Sequence, residues 1–180
     1  MKRSEGNLLK MDTKEQTPFG NVSGKVFAEL CKAGWSPGRD EAGVAEVFSK
    51  SLGSRWVPAA ALFVRNFGGL SFYGRLWAWE KPIWDQEVNA VERKITEVTG
   101  TKVVPVASSS YLGDGCLIWV DESGRYYAVD SEGMIFIAGD MATALEVLLG
   151  EEPRPEPPPE LKEKLAEAYD WNGDAQCELN

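Results

Sequence analysis

Residues 116–140, CLIWVDESGRYYAVDSEGMIFIAGD, constrain the fold more than any other stretch. Three short runs rich in β-branched and aromatic residues are separated by DESG and DSEG, whose Asp, Ser and Gly suit tight turns. Strands joined by such short links pair with their neighbours in opposite directions, so the spacing predicts an antiparallel meander. MATALEVLLG follows and is read as a closing helix, with Leu145, Leu148 and Leu149 inward and Gly150 as its stop.

Ahead of the meander, helical spacing dominates. Residues 1–20 lack periodicity and are expected to form a flexible arm. Val22, Val26, Phe27 and Leu30 mark one face of a helix over 22–33, with Gly34 after it. GWSPGRD carries turn signals, placing Trp35 and Arg39 on either side of a tight loop. A second helix runs from about Glu41 to Leu52, with Val44, Val47 and Phe48 on its apolar face and Gly53 at its end. A third enters through Pro58 and stops at Gly68. Gly68 and Gly69 can both adopt the left-handed angles that end a helix, so LFVRNFGGLSF predicts a sharp corner from helix into strand.

Leu70 to Glu80 is expected to be one strand with a bulge or bend at Gly74, on which Trp77 and Trp79 share a face that covers the core or, alternatively, anchors an interface. Val88, Val91, Ile95 and Val98 make 85–99 an amphipathic helix. Val103 to Val106 is a short strand whose Pro105 belongs at an edge or a bulge. Ser108 to Ser110 and the following YLGDGC are read as a connection, because neither a P-loop lysine nor a GxSxG elbow is present. With no alternation of strand and helix, the class is α+β: a mostly antiparallel sheet with helices packed against it.

The organisation follows as an arm over 1–20, a folded domain over 21–150, a Pro-rich acidic linker over 151–159, EEPRPEPPP, and a helix and tail over 160–180. Leu161, Leu165, Ala168 and Tyr169 form a narrow stripe that either docks on its own domain or receives a partner.

Composition then limits the chemistry. The chain has 180 residues and no histidine, which excludes a Ser-His-Asp or Cys-His nucleophile. Its three cysteines, Cys31, Cys116 and Cys177, are far apart and are expected to be free thiols, with no zinc site and no cofactor implied. The net charge is −9, and residues 151–180 supply nine acids against three bases. Such a balance disfavours direct contact with nucleic acid phosphates and suits a basic protein partner, although ordinary solubility explains it equally well. The longest apolar run, VPAAALFV, ends at Arg65 and is too short to cross a bilayer. MKRSEGNLLK is not followed by an apolar segment, so no secretory signal is expected and the chain is placed in the cytoplasm.

Asp114, Asp121, Asp130 and Asp140 stand at predicted turns, where Asp accepts backbone hydrogen bonds, and no EF-hand spacing links them. Trp84, beside Pro82 and at the start of a helix, is open between core residue and interface anchor.

AGWSPGRD, FGGL, TGTKVVPVA, DESGRYYAV and ALEVLLG, in this order between Val22 and Gly150, resemble the pattern of the SUKH superfamily, in particular its third subgroup of bacterial immunity proteins. The resemblance implies a SUKH-like α+β fold in which the FGGL corner carries the chain from the helical layer into the sheet. It further implies a protein without enzymatic activity that binds and neutralises a toxin of a polymorphic toxin system, many of which are nucleases or nucleic-acid deaminases. A basic cleft on such a toxin would attract an acidic inhibitor. Contact residues do not carry over by motif; chemistry alone selects Trp84 as an aromatic anchor and Glu80, Asp85, Asp114, Asp121 and Glu122 as acids. Two other readings stand beside it: a regulatory protein-binding module of the same fold, and a small hydrolase using two carboxylates with shifted pKa values in a cleft.

Overall fold

In the computed structural model, which describes residues 14–83, 85–110, 116–129, 133–150 and 152–168, the first element is a hairpin. β1 (Lys14–Thr17) pairs with β2 (Gly20–Ser23), so the second part of the expected arm is ordered, while residues 1–13 lie outside the described residues. The reason is not local. Phe19, at the turn, packs edge-on against Trp35 at 5.7 Å and Phe67 at 5.2 Å, and one anchoring side chain leaves no periodicity to read.

Three helices follow: α1 (Gly24–Lys32), α2 (Ala42–Leu52) and α3 (Ala60–Phe67). Each lies within about two residues of its expected span. The inward face of α2 differs from the expectation: Phe48 and Leu52 are buried, whereas Val47 is 44% exposed. At the corner after α3 the two glycines have separate duties. Gly69 takes φ +80, but Gly68 has φ −47 and is required for space, because a Cβ there would lie 2.6 Å from the Val64 carbonyl oxygen and 2.7 Å from Val44 Cγ1.

The expected single strand over 70–80 is a hairpin of β3 (Ser71–Phe72) and β4 (Leu76–Ala78). Tyr73 (φ 47) and Gly74 (φ 69) occupy its two central turn positions, the positive-φ pair of a type I′ turn, closed by Arg75 N donating to Phe72 O at 2.8 Å. Trp77 and Trp79 do not share a face. Leu76 and Ala78 point into the core, Trp77 is 40% exposed, and β4 ends before Trp79, whose amide turns to Val106 O at 3.0 Å and whose ring is buried.

After α4 (Gln86–Thr99), β5 (Val103–Ser109) crosses the sheet with a register shift between Pro105 and Ala107, the bulge that a missing amide demands. Ser108 and Ser109 belong to this strand and not to a connection; Ser109 Oγ donates to Arg75 O at 2.8 Å. β6 (Cys116–Asp121), β7 (Tyr126–Val129) and β8 (Met134–Ala138) form the expected meander. The sheet order is β3-β4-β5-β6-β7-β8, every pair antiparallel. The closing helix is α5 (Met141–Leu145), continued by a π-helical turn over Glu146–Gly150, and the chain ends its described course in α6 (Pro159–Ala168).

Each face of the sheet has its own apolar cluster. Ile118, Val120, Tyr126 and Ala128 face α1, α2, α3 and α5, with Leu30, Phe48, Phe63 and Leu145 among the contributions from the helices. Trp119, Tyr127, Val129 and Phe136 face the other way, where α4 brings Val88 and Ile95 and α6 brings Leu161 and Leu165. The C-terminal stripe is therefore docked on its own domain through its two leucines; Tyr169 lies outside the described residues.

Candidate partner-binding surface

The loop that follows α1 and the corner that follows α3 are far apart in sequence and meet in space. Three ties hold them. Glu41 N donates to Arg65 O at 2.8 Å, Arg65 grips Asp40 with Nε and Nη2 at 2.7 and 2.6 Å, and Arg39 Nη2 donates to Gly68 O at 2.9 Å. The Arg65 guanidinium holds the Asp40 carboxyl below its usual range. The two sequence landmarks SPGRD and FGGL are thus one structural joint.

Glu80 completes it. Its side chain lies over Gly69, where an added Cβ would come within 2.9 Å of Glu80 Oε1. Between Arg39, Glu41, Val44, Val47 and Glu80, above the two glycines, is a surface cavity of about 330 Å³. Arg39 also pairs with Glu41 at 3.2 Å, and its buried Nε has no hydrogen-bond partner. The result is a concave patch with two carboxylates, one partly spent guanidinium and one exposed valine.

The other acids selected from sequence do not gather here. Asp85 is exposed at the start of α4, where its carboxylate accepts from Val88 N at 2.8 Å as the N-cap. Glu122 is exposed at the β6–β7 turn, and its amide donates to Lys102 O at 3.2 Å, close to the far end of α4. A helix of 14 residues is about 21 Å long, so α4 keeps Asp85 and Glu122 apart. Asp121 presents no surface at all: it is 0% exposed and receives Ser123 N at 2.8 Å, Arg125 N at 2.9 Å, Arg125 Nε at 2.6 Å and Tyr127 Oη at 2.9 Å. Its carboxylate shapes the turn that carries Glu122, and burial is the reason it cannot itself meet a partner. Trp84 and Asp114 lie outside the described residues.

Sequence reasoning placed Val47 on an inward face and passed over Tyr73 and Ile83; all three are exposed, as are Leu62 and Trp77. Tyr73 carried a signal in retrospect: Gly74 inside a strand pattern suits a turn, and a turn tip exposes the residue beside it, here 65%. Among the described residues no three Cys, Asp or Glu side chains could hold a metal ion, and no helix is long and apolar enough to cross a membrane. Glu92 on α4 has its carboxyl pushed up by partial burial, against the opposing charges of Arg55 and Arg93.

The family model described as SUKH-3 immunity protein matches residues 22–151, from β2 to the end of the closing helix. The chain belongs to the SUKH-3 immunity protein family. Membership implies that it neutralises a toxin, and the family consists typically of inhibitors that act without catalysis. Arg39, Gly68, Gly69 and Glu80 all fall within the matched span, so the joint belongs to the SUKH-3 domain, whereas β1 and α6 lie outside it. No curated protein and no solved structure matches this SUKH-3 chain.

Proposed function

We propose that this SUKH-3 protein acts inside the cell that makes it, and that its cognate toxin attacks nucleic acid, as a nuclease or a deaminase, through a basic cleft that the inhibitor covers in a stoichiometric complex. One observation supports this most: the Glu41–Glu80 cavity sets two carboxylates beside exposed Val47 on a chain of net charge −9. A lysine or arginine of the toxin would be drawn to the carboxylates while Val47 supplies apolar contact. Asp85 and Glu122 extend the attraction from the two ends of α4, and Trp84 and Asp114 complete the proposed contact set. Asp121 serves it indirectly, by holding the Glu122 turn.

Co-expression with the toxin encoded beside it, followed by co-purification and growth rescue, tests partner and role together. The expected result is a complex whose association rate falls with added salt. Glu80→Lys should slow association by about tenfold or more while leaving the folded chain intact, because a reversed charge acts on the encounter. Growth rescue with no physical complex, or an association rate indifferent to salt and to Glu80→Lys, would reject this reading.

A further inference from the structure

The family match ends at residue 151, yet the described chain goes on to cover a part of the domain that the matched span leaves open. β8 is last in the sheet order, so among the described residues one side of its backbone has no strand beside it. It reads MIFIA, five apolar residues without a charge. An edge of that composition is a template for strand addition.

Residues 152–158 run beside this edge as a strap that is neither helix nor strand, and α6 then anchors them by burying Leu161 and Leu165 beside Phe136 and Met134. Strap, β8 and α6 enclose a groove of about 700 Å³, with Met134, Ile135 and Phe136 on one side and Pro153, Pro155 and Pro157 on another. Proline has no amide proton, so Pro153, Pro155, Pro157 and Pro158 leave the strap few donors with which to form a ladder. Among the described residues no backbone hydrogen bond joins the strap to β8. The strap covers the edge without being able to lengthen the sheet.

We propose that residues 152–168 are an intramolecular guard on the β8 edge, and that what they keep out is β8 of a second copy of this chain. Identical apolar strands pair antiparallel about a two-fold axis, with each residue facing an apolar counterpart and no charge opposing another. The guard is weakly acidic, with exposed Glu152, Glu156, Glu160 and Glu163 set against exposed Arg154, Lys162 and Lys164, so charge adds little and the steric cover of the edge is what keeps a second copy away. Its hold is modest. Among the described residues its side-chain ties include an exposed Lys162–Glu156 pair within the guard and a 3.8 Å contact between Arg125 and Glu160. This inference stands independently of the toxin reading.

The test uses the full chain. Leu161→Asp with Leu165→Asp should release the guard. Light scattering is expected to show the unaltered protein monomeric and the variant rising up to about twofold in mass with concentration, a closed two-fold pair. Amide hydrogen exchange in β8 should slow by about tenfold or more as that pair forms. A folded variant that stays monomeric, an association that leaves β8 exchange unchanged, or an unaltered protein already paired through β8 would each overturn the proposal. If the aspartates unfold the chain, Pro153→Thr, Pro155→Thr and Pro157→Thr together leave α6 docked and return three amide donors. The strap should then pair with β8 and slow its exchange in the monomer, and unchanged exchange would show that the strap does not guard this edge and would overturn the proposal.

Discussion

Arg39 donates from Nη2 to the carbonyl oxygen of Gly68 at 2.9 Å, binding the loop after α1 to the end of α3. Gly68 is buried, so its oxygen has no ready substitute for that donor. Arg39→Ala is expected to destabilise the domain by about 1–3 kcal/mol, the cost of a buried carbonyl left without its charged donor. Urea denaturation followed by tryptophan fluorescence measures it, and a midpoint equal to that of the unaltered chain would show that the tie contributes nothing.

Gly68→Ala should cost about 1–3 kcal/mol by overpacking. The new methyl would meet Val44 Cγ1 at 2.7 Å, which can be trimmed, and Val64 O at 2.6 Å, which cannot. Adding Val44→Ala should therefore recover part of the loss in a double-mutant cycle and leave the backbone share. Full recovery would mean that the carbonyl contact relaxes freely.

Glu146 lies at the head of the π-helical turn and reaches across to α1. Its carboxylate accepts from Ser23 N and, at 2.9 Å, from Ser23 Oγ, while Ser23 Oγ accepts from Val26 N as the N-cap of a helix that has no acid in its own first turn. Glu146→Ala should destabilise by about 1–2 kcal/mol, through lost capping and lost charge at the helix N-terminus. Glu146→Gln, which keeps an acceptor, should lose less. Equal losses measured by thermal unfolding would argue that packing, and not the acceptor, is what matters.

Burial pushes the hydroxyls of Tyr126 and Tyr127 up from their ordinary value near 10, with the charges of Asp140 and Asp121 adding to the effect. A proton held more tightly in the folded state contributes stability that is full below the unfolded pKa and is lost as pH rises through the folded one. Stability should thus decline above about pH 10, where unfolded tyrosine ionises. Tyr127→Phe removes a donor to Asp121 and should cost about 1 kcal/mol at neutral pH, yet make the alkaline decline shallower. Denaturation midpoints across that range check both signs, and an identical slope in the variant would exclude Tyr127 as a contributor.

The α+β class, the meander and the position of α4 were legible because each rests on near neighbours in the chain. Asp85 caps α4 through Val88 N and Gly100 ends it at φ +72, both within reach of local chemistry. DESG marked the β6–β7 turn for the same reason. The exposed acids Glu80, Asp85 and Glu122 were likewise visible as acids, but not their distribution.

What sequence alone determined is therefore where helices, strands and turns form, since spacing, capping and turn residues act over a few positions. The tertiary structure decided which side chains those elements hide. Phe19 orders β1 and β2 only by reaching Trp35 and Phe67, Trp79 leaves the face of Trp77 because its amide finds Val106 O, and Asp121 vanishes from the surface because Tyr127 and Arg125 close over it. In the first two cases the partner lies many residues away, and in the third it is set by how β6 and β7 pair; burial depends on which distant backbones pair and pack, a quantity that local propensity does not contain.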